Sequence, residues 1–176
     1  LVIDEALCVR CDNCEKACAE THGGVSRLRR KAGETFATIH VPTACRHCYE
    51  PGCMKDCPAN CISRQPGGQV LIDTNTCIGC GNCSANCPFG VIQMIAPEPQ
   101  PPLDLWSWLF WGKGRAPGQE TEHLHGPGTV VKKAMKCDLC HGQSSGPACV
   151  QACPTGAAIR SAPDTLVTIF EESQLK

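Results

Sequence analysis

The run Cys77-Ile78-Gly79-Cys80-Gly81-Asn82-Cys83-Ser84-Ala85-Asn86-Cys87-Pro88 sets three thiols at three-residue intervals and a fourth four residues on, directly before a proline. Three other groups echo it: Cys8-Cys11-Cys14-Cys18, Cys45-Cys48-Cys53-Cys57 and Cys137-Cys140-Cys149-Cys153. Each opens C-x-x-C and closes C-x-x-x-C, and three of the closing cysteines precede a proline (Pro58, Pro88, Pro154). Sixteen of the seventeen cysteines are used this way, so the chain is an imperfect fourfold repeat.

A tight loop can bring three thiolates to the corners of a small tetrahedron when they sit three residues apart. The fourth is harder to supply, because the chain must leave. In two-cluster bacterial ferredoxins the fourth cysteine, on the short helix that follows, ligates the other cluster. The proline after it stops that helix and turns the chain away. The pattern therefore reads as ligands for four [4Fe–4S] clusters. Gly79 and Gly81 flank Cys80, where backbone amides can point at cluster sulfurs and help set the reduction potential. Disulfide frameworks do not repeat C-x-x-C four times with a matching C-x-x-x-C. Structural zinc draws on two separated pairs or on cysteine with histidine.

Composition agrees with a chain held together by metal. Aromatics make up 5% of the 176 residues, against 17 glycines, 14 prolines and 17 cysteines, so a conventional core is hard to build. Metal-binding free energy then becomes folding free energy, and the apo chain is expected to be largely unfolded. The formal net charge is −1, which offers no broad basic field for nucleic acid. Arg27, Arg29, Arg30 and Lys31 form one basic cluster, read as a solvated loop or as a patch for an acidic partner surface. No stretch approaches 18 apolar residues, so no transmembrane segment is expected in this chain.

The coarse reading is α+β. Leu1-Val2-Ile3-Asp4 and Val70-Leu71-Ile72-Asp73 read as short strands that each feed a cysteine loop four residues on. Residues 37–41 read as a strand leading to Cys45. Residues 61–64 and 69–72 flank Gln65-Pro66-Gly67-Gly68 as a hairpin. A closing hairpin is expected from 157–160 and 166–170. Short helices are expected around Cys14 and Cys18, around Cys83 and Cys87, and around Cys149 and Cys153. Residues 97–128 are a Pro/Gly-rich insertion that holds all three tryptophans, Trp106, Trp108 and Trp111. That aromatic group reads as packing on a partner, on this chain's own surface or at a membrane interface.

The Cys77–Gly90 run closely resembles the third motif of the DMSO reductase iron–sulfur subunit family. Cys45-Arg46-His47-Cys48-Tyr49-Glu50-Pro51-Gly52-Cys53 resembles its second, Lys136-Cys137-Asp138-Leu139-Cys140 with Cys149–Ala157 its fourth, and Cys18 without a following proline suits its first. The resemblance implies tandem, nested 8Fe ferredoxin-like units with small hairpins and short helices. Unit A would comprise 1–36 and 129–176, and unit B 37–96. It also implies the ligand sets: Cys8, Cys11 and Cys14 with Cys153; Cys137, Cys140 and Cys149 with Cys18; Cys45, Cys48 and Cys53 with Cys87; Cys77, Cys80 and Cys83 with Cys57. Spacing alone leaves sequential pairing open. The Cys140–Cys149 gap is shorter than the family often shows, and the tryptophan insertion is not a family constant. No ligand is missing, so four full cubanes are expected.

By the same resemblance the chain is an electron-transfer subunit, not an enzyme in isolation. It would relay single electrons between a catalytic partner and a second electron carrier or membrane subunit. The catalytic partner could be a molybdopterin enzyme, a hydrogenase or a flavin-dependent NAD(P)H oxidoreductase. The Cys8 cluster would lie nearest that partner. A self-standing cluster enzyme would need an open iron site or a base-bearing pocket, and a redox sensor would need a recognition domain; neither stands out. Cys61 is left over and reads as a small buried hydrophobe, or as a redox-active thiol or stand-in ligand. His47 reads as a cluster-tuning donor or a plain loop residue, and His123 and His125 as exposed loop residues. Cluster assembly needs reducing conditions, so a cytoplasmic location is expected, or export together with a partner.

Overall fold

Apolar residues come in short runs in this chain, and its strands are correspondingly short. The computed structural model describes residues 1–96 and 131–161. The insertion with its tryptophans, His123 and His125, and the expected strand 166–170 lie outside the described residues.

Strand β1 (Val2–Asp4) is central to an antiparallel sheet with β2 (Arg29–Phe36), β3 (Ile39–Thr43) and β8 (Ala158–Ile159), in the order β2-β3-β1-β8. The register sets Val2 opposite Ile159 and Ile3 opposite His40. Val2, Ile3 and Ile39 are each 1% exposed, so the aliphatic run that opens the chain is consumed by this sheet. Pairing of β1 with β8 carries the first cysteine motif to the fourth. The expected hairpin forms from β4 (Ile62–Arg64) and β5 (Val70–Ile72). Strand β6 (Gln93–Ile95) pairs with β7 (Lys133–Met135).

Strand β2 corrects the loop reading of the basic cluster, while Arg29 and Lys31 stay exposed as the solvated reading has them. Arg29, Arg30 and Lys31 are strand residues, and Arg30 is buried. Its backbone N–H donates to Glu15, and its guanidinium lies 3.6 Å from Asp12 and 3.9 Å from Glu5. Four basic residues close together look solvated in sequence. The acids that pair with them are spread over residues 5, 12 and 138. Between Arg29 and Gly33 the register with β3 slips, and Gly33 has φ 128°. A Cβ there would stand 2.1 Å from the Val41 carbonyl oxygen, which is why this bulge takes a glycine.

The helices are α1 (Asn13–Thr21), α2 (Gly52–Lys55), α3 (Asn82–Ala85) and α4 (Ala148–Gln151). Helix α2, which carries Cys53, was not expected. Helices α3 and α4 end before Cys87 and Cys153. Those residues sit on a tightened last turn, with Cys87 N–H donating to Ser84 and Cys153 N–H to Val150. Helix α1 packs on α4 and α2 on α3. The second contact is tied by Asn86, whose amide donates to the Asp56 carboxylate at 2.9 Å.

Two buried groups form the interior, and both contain thiols. One gathers Cys61, Ile62, Val70, Cys77, Cys83, Val91, Ile92 and Ala134; the other gathers Cys14, Cys18, Leu28, Ala44 and Cys149. Strand β3, from 37–96, hydrogen-bonds to β1 and β2 of the outer segments, and β7, from 129–176, to β6. Backbone pairing thus crosses between the two stretches at both junctions.

Gly33→Ala should cost more stability than the about 1–3 kcal/mol of left-handed strain alone. Gly68→Ala, with φ +84° and nothing within 4 Å of the added methyl, should cost no more than that strain. Thermal unfolding of the anaerobic protein checks the pair; equal losses would refute the close approach.

Candidate iron–sulfur centres

In all four motifs the residue before the second cysteine takes a left-handed backbone: Arg10 (φ 57°), His47 (50°), Gly79 (75°) and Leu139 (62°). That kink folds each C-x-x-C so that its sulfurs turn to one side. The three non-glycines accept about 1–2 kcal/mol each for it. Glycine is required at 79 for a second reason, since a Cβ there would meet the Lys132 carbonyl oxygen at 2.2 Å.

The folded loops leave hollows lined by sulfur. Cys45, Cys48, Cys53 and Cys87 line one of about 360 Å³. Cys8, Cys11, Cys14 and Cys153 line another of about 310 Å³. Cys57, Cys77, Cys80 and Cys83 line a third of about 260 Å³, together with Cys61. The remaining four, Cys18, Cys137, Cys140 and Cys149, are all buried, and Cys18 and Cys149 share one buried group. Each hollow takes three sulfurs from one motif and one from another. None of the seventeen cysteines is in a disulfide.

The donor chemistry fits iron–sulfur clusters. Backbone N–H groups point at sulfur from Arg27 to Cys18 (3.3 Å), His47 to Cys45 (3.4 Å), Ala148 to Cys140 (3.4 Å) and Ala158 to Cys153 (3.4 Å). Arg160 donates to Cys137 at 2.9 Å and Arg30 to Cys8 at 3.5 Å. His47 lines the Cys45 hollow, and its Nδ1 accepts the Val70 N–H at 3.0 Å. Its proton is therefore on Nε2, which is buried and has no partner among the described residues. An acceptor in the hollow would satisfy it. His22, Asp138 and Cys140 also bring donor atoms within 4.8 Å, but Asp138 is already paired with Arg27 at 2.7 Å.

Burial governs the thiols. It pushes Cys14 up to about 11 and raises Cys18, Cys45, Cys53, Cys83 and Cys149. Cys61 goes to about 12, first by burial and then by its contact with Cys57. Burial opposes ionisation of Cys153 as well, but the Ala158 N–H and Thr155 hold it below its ordinary value. His47 drops to about 4 through burial, then the Lys136 and Arg160 charges. Thiols that stay protonated without metal must release protons when they become ligands, so cluster loading and folding are one equilibrium.

Three cations were not recognised from sequence. Lys136 is 3% exposed, and its ammonium donates to the carbonyls of Val70 and Cys137. It lines the Cys45 hollow while adjoining Cys137 in sequence, so one charge serves two sulfur sets. Arg30 and Arg160 each donate to one thiol, Cys8 and Cys137. A lysine next to a motif normally reads as solvated; only the approach of β5 buries this one.

Residues 36–98 and residues 76–159 each match a family described as a 4Fe–4S dicluster domain. The chain is 34% identical to hydrogenase-4 component A of Escherichia coli (strain K12), over 99% of this chain and 87% of that protein. It is 34% identical to formate hydrogenlyase subunit 2 of the same strain, over 89% of this chain and 78% of that one. It is 31% identical to that strain's electron transport protein HydN, over 90% and 85%.

Lys136→Met should lower the potentials of clusters held at Cys45 and Cys137 by on the order of 50–100 mV, equivalent to roughly 1–2 kcal/mol of lost charge stabilisation in the reduced state. EPR-monitored redox titration reads this directly. Unmoved potentials would remove Lys136 from the electrostatics of both sites.

Proposed function

The chain belongs to the family of 4Fe–4S dicluster electron-transfer proteins, and from that premise we propose that it is a four-cluster relay, an iron–sulfur component of a larger hydrogenase-class oxidoreductase and not an enzyme alone. The proposed ligand sets are Cys8, Cys11, Cys14 and Cys153; Cys137, Cys140, Cys149 and Cys18; Cys45, Cys48, Cys53 and Cys87; and Cys77, Cys80, Cys83 and Cys57. The observation that carries the reading is the gathering of twelve motif sulfurs around three discrete hollows, four to each, with the other four motif thiols all buried. In each of the three hollows the closing cysteine comes from the other motif of the proposed pair, which favours two nested 8Fe units over sequential pairing.

The clusters supply the acceptance and release of single electrons. The chain's residues fix where those electrons can go. Sets one and two adjoin where Cys14 and Cys149 share a buried group. Sets two and three adjoin across Lys136. Sets three and four adjoin where Cys53 packs on the group holding Cys77 and Cys83. The order is therefore linear. Its two outer sets each contain an exposed cysteine, Cys11 and Cys80, flanked by exposed apolar residues: Val9 beside Cys11 and Ile78 beside Cys80. Those are the two ends where redox partners dock.

The motif likeness to DMSO reductase subunits concerns the cluster scaffold. The names of the similar proteins, a hydrogenase component and a formate hydrogenlyase subunit, favour the hydrogenase class among the expected catalytic partners. No helix among the described residues is long and apolar enough to cross a membrane.

Anaerobically isolated protein should carry about sixteen iron per chain, four per cubane. Cys80→Ser should abolish or alter one cluster's low-temperature EPR signal and leave three. Zinc in place of iron, or an unchanged spectrum in Cys80→Ser, would end the reading. Affinity isolation of the tagged chain should bring down a hydrogenase-class catalytic subunit; a molybdopterin subunit alone would reassign the partner while leaving the clusters intact.

A further inference from the structure

The seventeenth cysteine stands inside a site. Cys61 Sγ is 3.3 Å from Cys57 Sγ and lines the same hollow as Cys57, Cys77, Cys80 and Cys83. The repeat explains the placement. Three residues after three of the closing cysteines comes a left-handed residue: Asn60 (φ 49°), Gly90 (57°) and Gly156 (69°). Its N–H donates back to the closing cysteine's carbonyl, at 3.1 Å for Asn60 and Gly90 and 3.4 Å for Gly156. The turn swings the next residue toward the hollow that the closing sulfur lines. After Cys87 that residue is Val91, and after Cys153 it is Ala157; each lines its hollow as an apolar wall. After Cys57 it is a thiol.

Sulfurs bound to different corners of a cubane are held apart by the cluster between them. Two sulfurs at 3.3 Å stand at one corner. Cys61 is also fixed in place, because its carbonyl accepts the Asp73 N–H at 2.8 Å at the base of the β4–β5 hairpin. It is 6% exposed, whereas Cys57 is part-exposed. The outer sulfur of this corner thus has a sheltered neighbour of the same chemistry.

We propose that Cys61 is a reserve ligand for the iron held by Cys57, an inference that rests on the ligand sets proposed above. In the exchange Cys61 gives its S–H proton to the Cys57 sulfur. The Fe–S bond to Cys57 breaks as the bond to Cys61 forms. No electron changes hands, and the proton stays between the two sulfurs. A cluster at this end of the relay keeps four thiolate ligands when Cys57 is lost.

The test counts iron and acid-labile sulfide in full-length protein isolated anaerobically, with native mass spectrometry of the folded fraction. Cys61→Ala and Cys57→Ala should each keep about sixteen iron, while Cys57→Ala/Cys61→Ala falls to about twelve. Cys87→Ala, with Val91 as its wall residue, is the matched control and should also fall to about twelve. In Cys57→Ala one EPR signal should shift without vanishing. If Cys57→Ala loses a cluster as Cys87→Ala does, shows a three-iron signal, or fails to fold where Cys87→Ala folds, the reserve role is overturned and the ligand sets stand. Full iron in the double variant overturns it too. Full iron in Cys87→Ala overturns the ligand sets themselves.

Discussion

A cysteine that closes a motif cannot turn back into the loop it ends, and the rest of this chain is arranged around that restriction. The helical turn that follows three closely spaced thiols carries the fourth away. A hollow built by one motif must therefore take its last sulfur from another. Pairing of β1 with β8 brings the ends of the described chain together so that Cys153 lines the hollow of Cys8. The α2–α3 contact does the same for Cys87 at the hollow of Cys45. The small sheets are devices for delivering these distant sulfurs.

This arrangement leaves little else to hold the fold. Among the described residues the two buried groups are cysteine, alanine and a few aliphatic side chains, a small interior that metal binding would supplement. Thiolates bound to iron would crowd negative charge into the interior, and cations set beside the sulfurs, Arg30 and Lys136 buried and Arg160 half-buried, answer it. Lys136, Arg30 and Arg160 each touch or adjoin cluster-lining cysteines from positions that would otherwise be costly for a charge. Stability and redox tuning thus draw on the same few residues, and a change to one acts on both.

Much of this was legible in the residues. The four motifs, the strand before Cys8, the hairpin around Pro66-Gly67-Gly68 and the helix carrying Cys14 and Cys18 follow from local spacing and turn chemistry. The solvated reading of Arg30 failed because burial depends on acids at residues 5 and 12, brought near only by folding. Helix α2 was missed because one helical turn around Cys53 has no periodicity to detect. Cys61 carried a signal that was available but unused: aligned on the closing cysteines, it occupies the place of Val91 and Ala157.

The sequence by itself determined the chemistry. Sixteen thiols at fixed short intervals define what can be bound, because the spacing within each motif is set by a few backbone angles. Which motif completes which hollow was decided only by the tertiary structure. That choice depends on pairing of β1 with β8, more than a hundred positions apart, and on the contact of α2 with α3, and no local interval encodes either. The same holds for the lysine between two sulfur sets, whose place comes from distance in space.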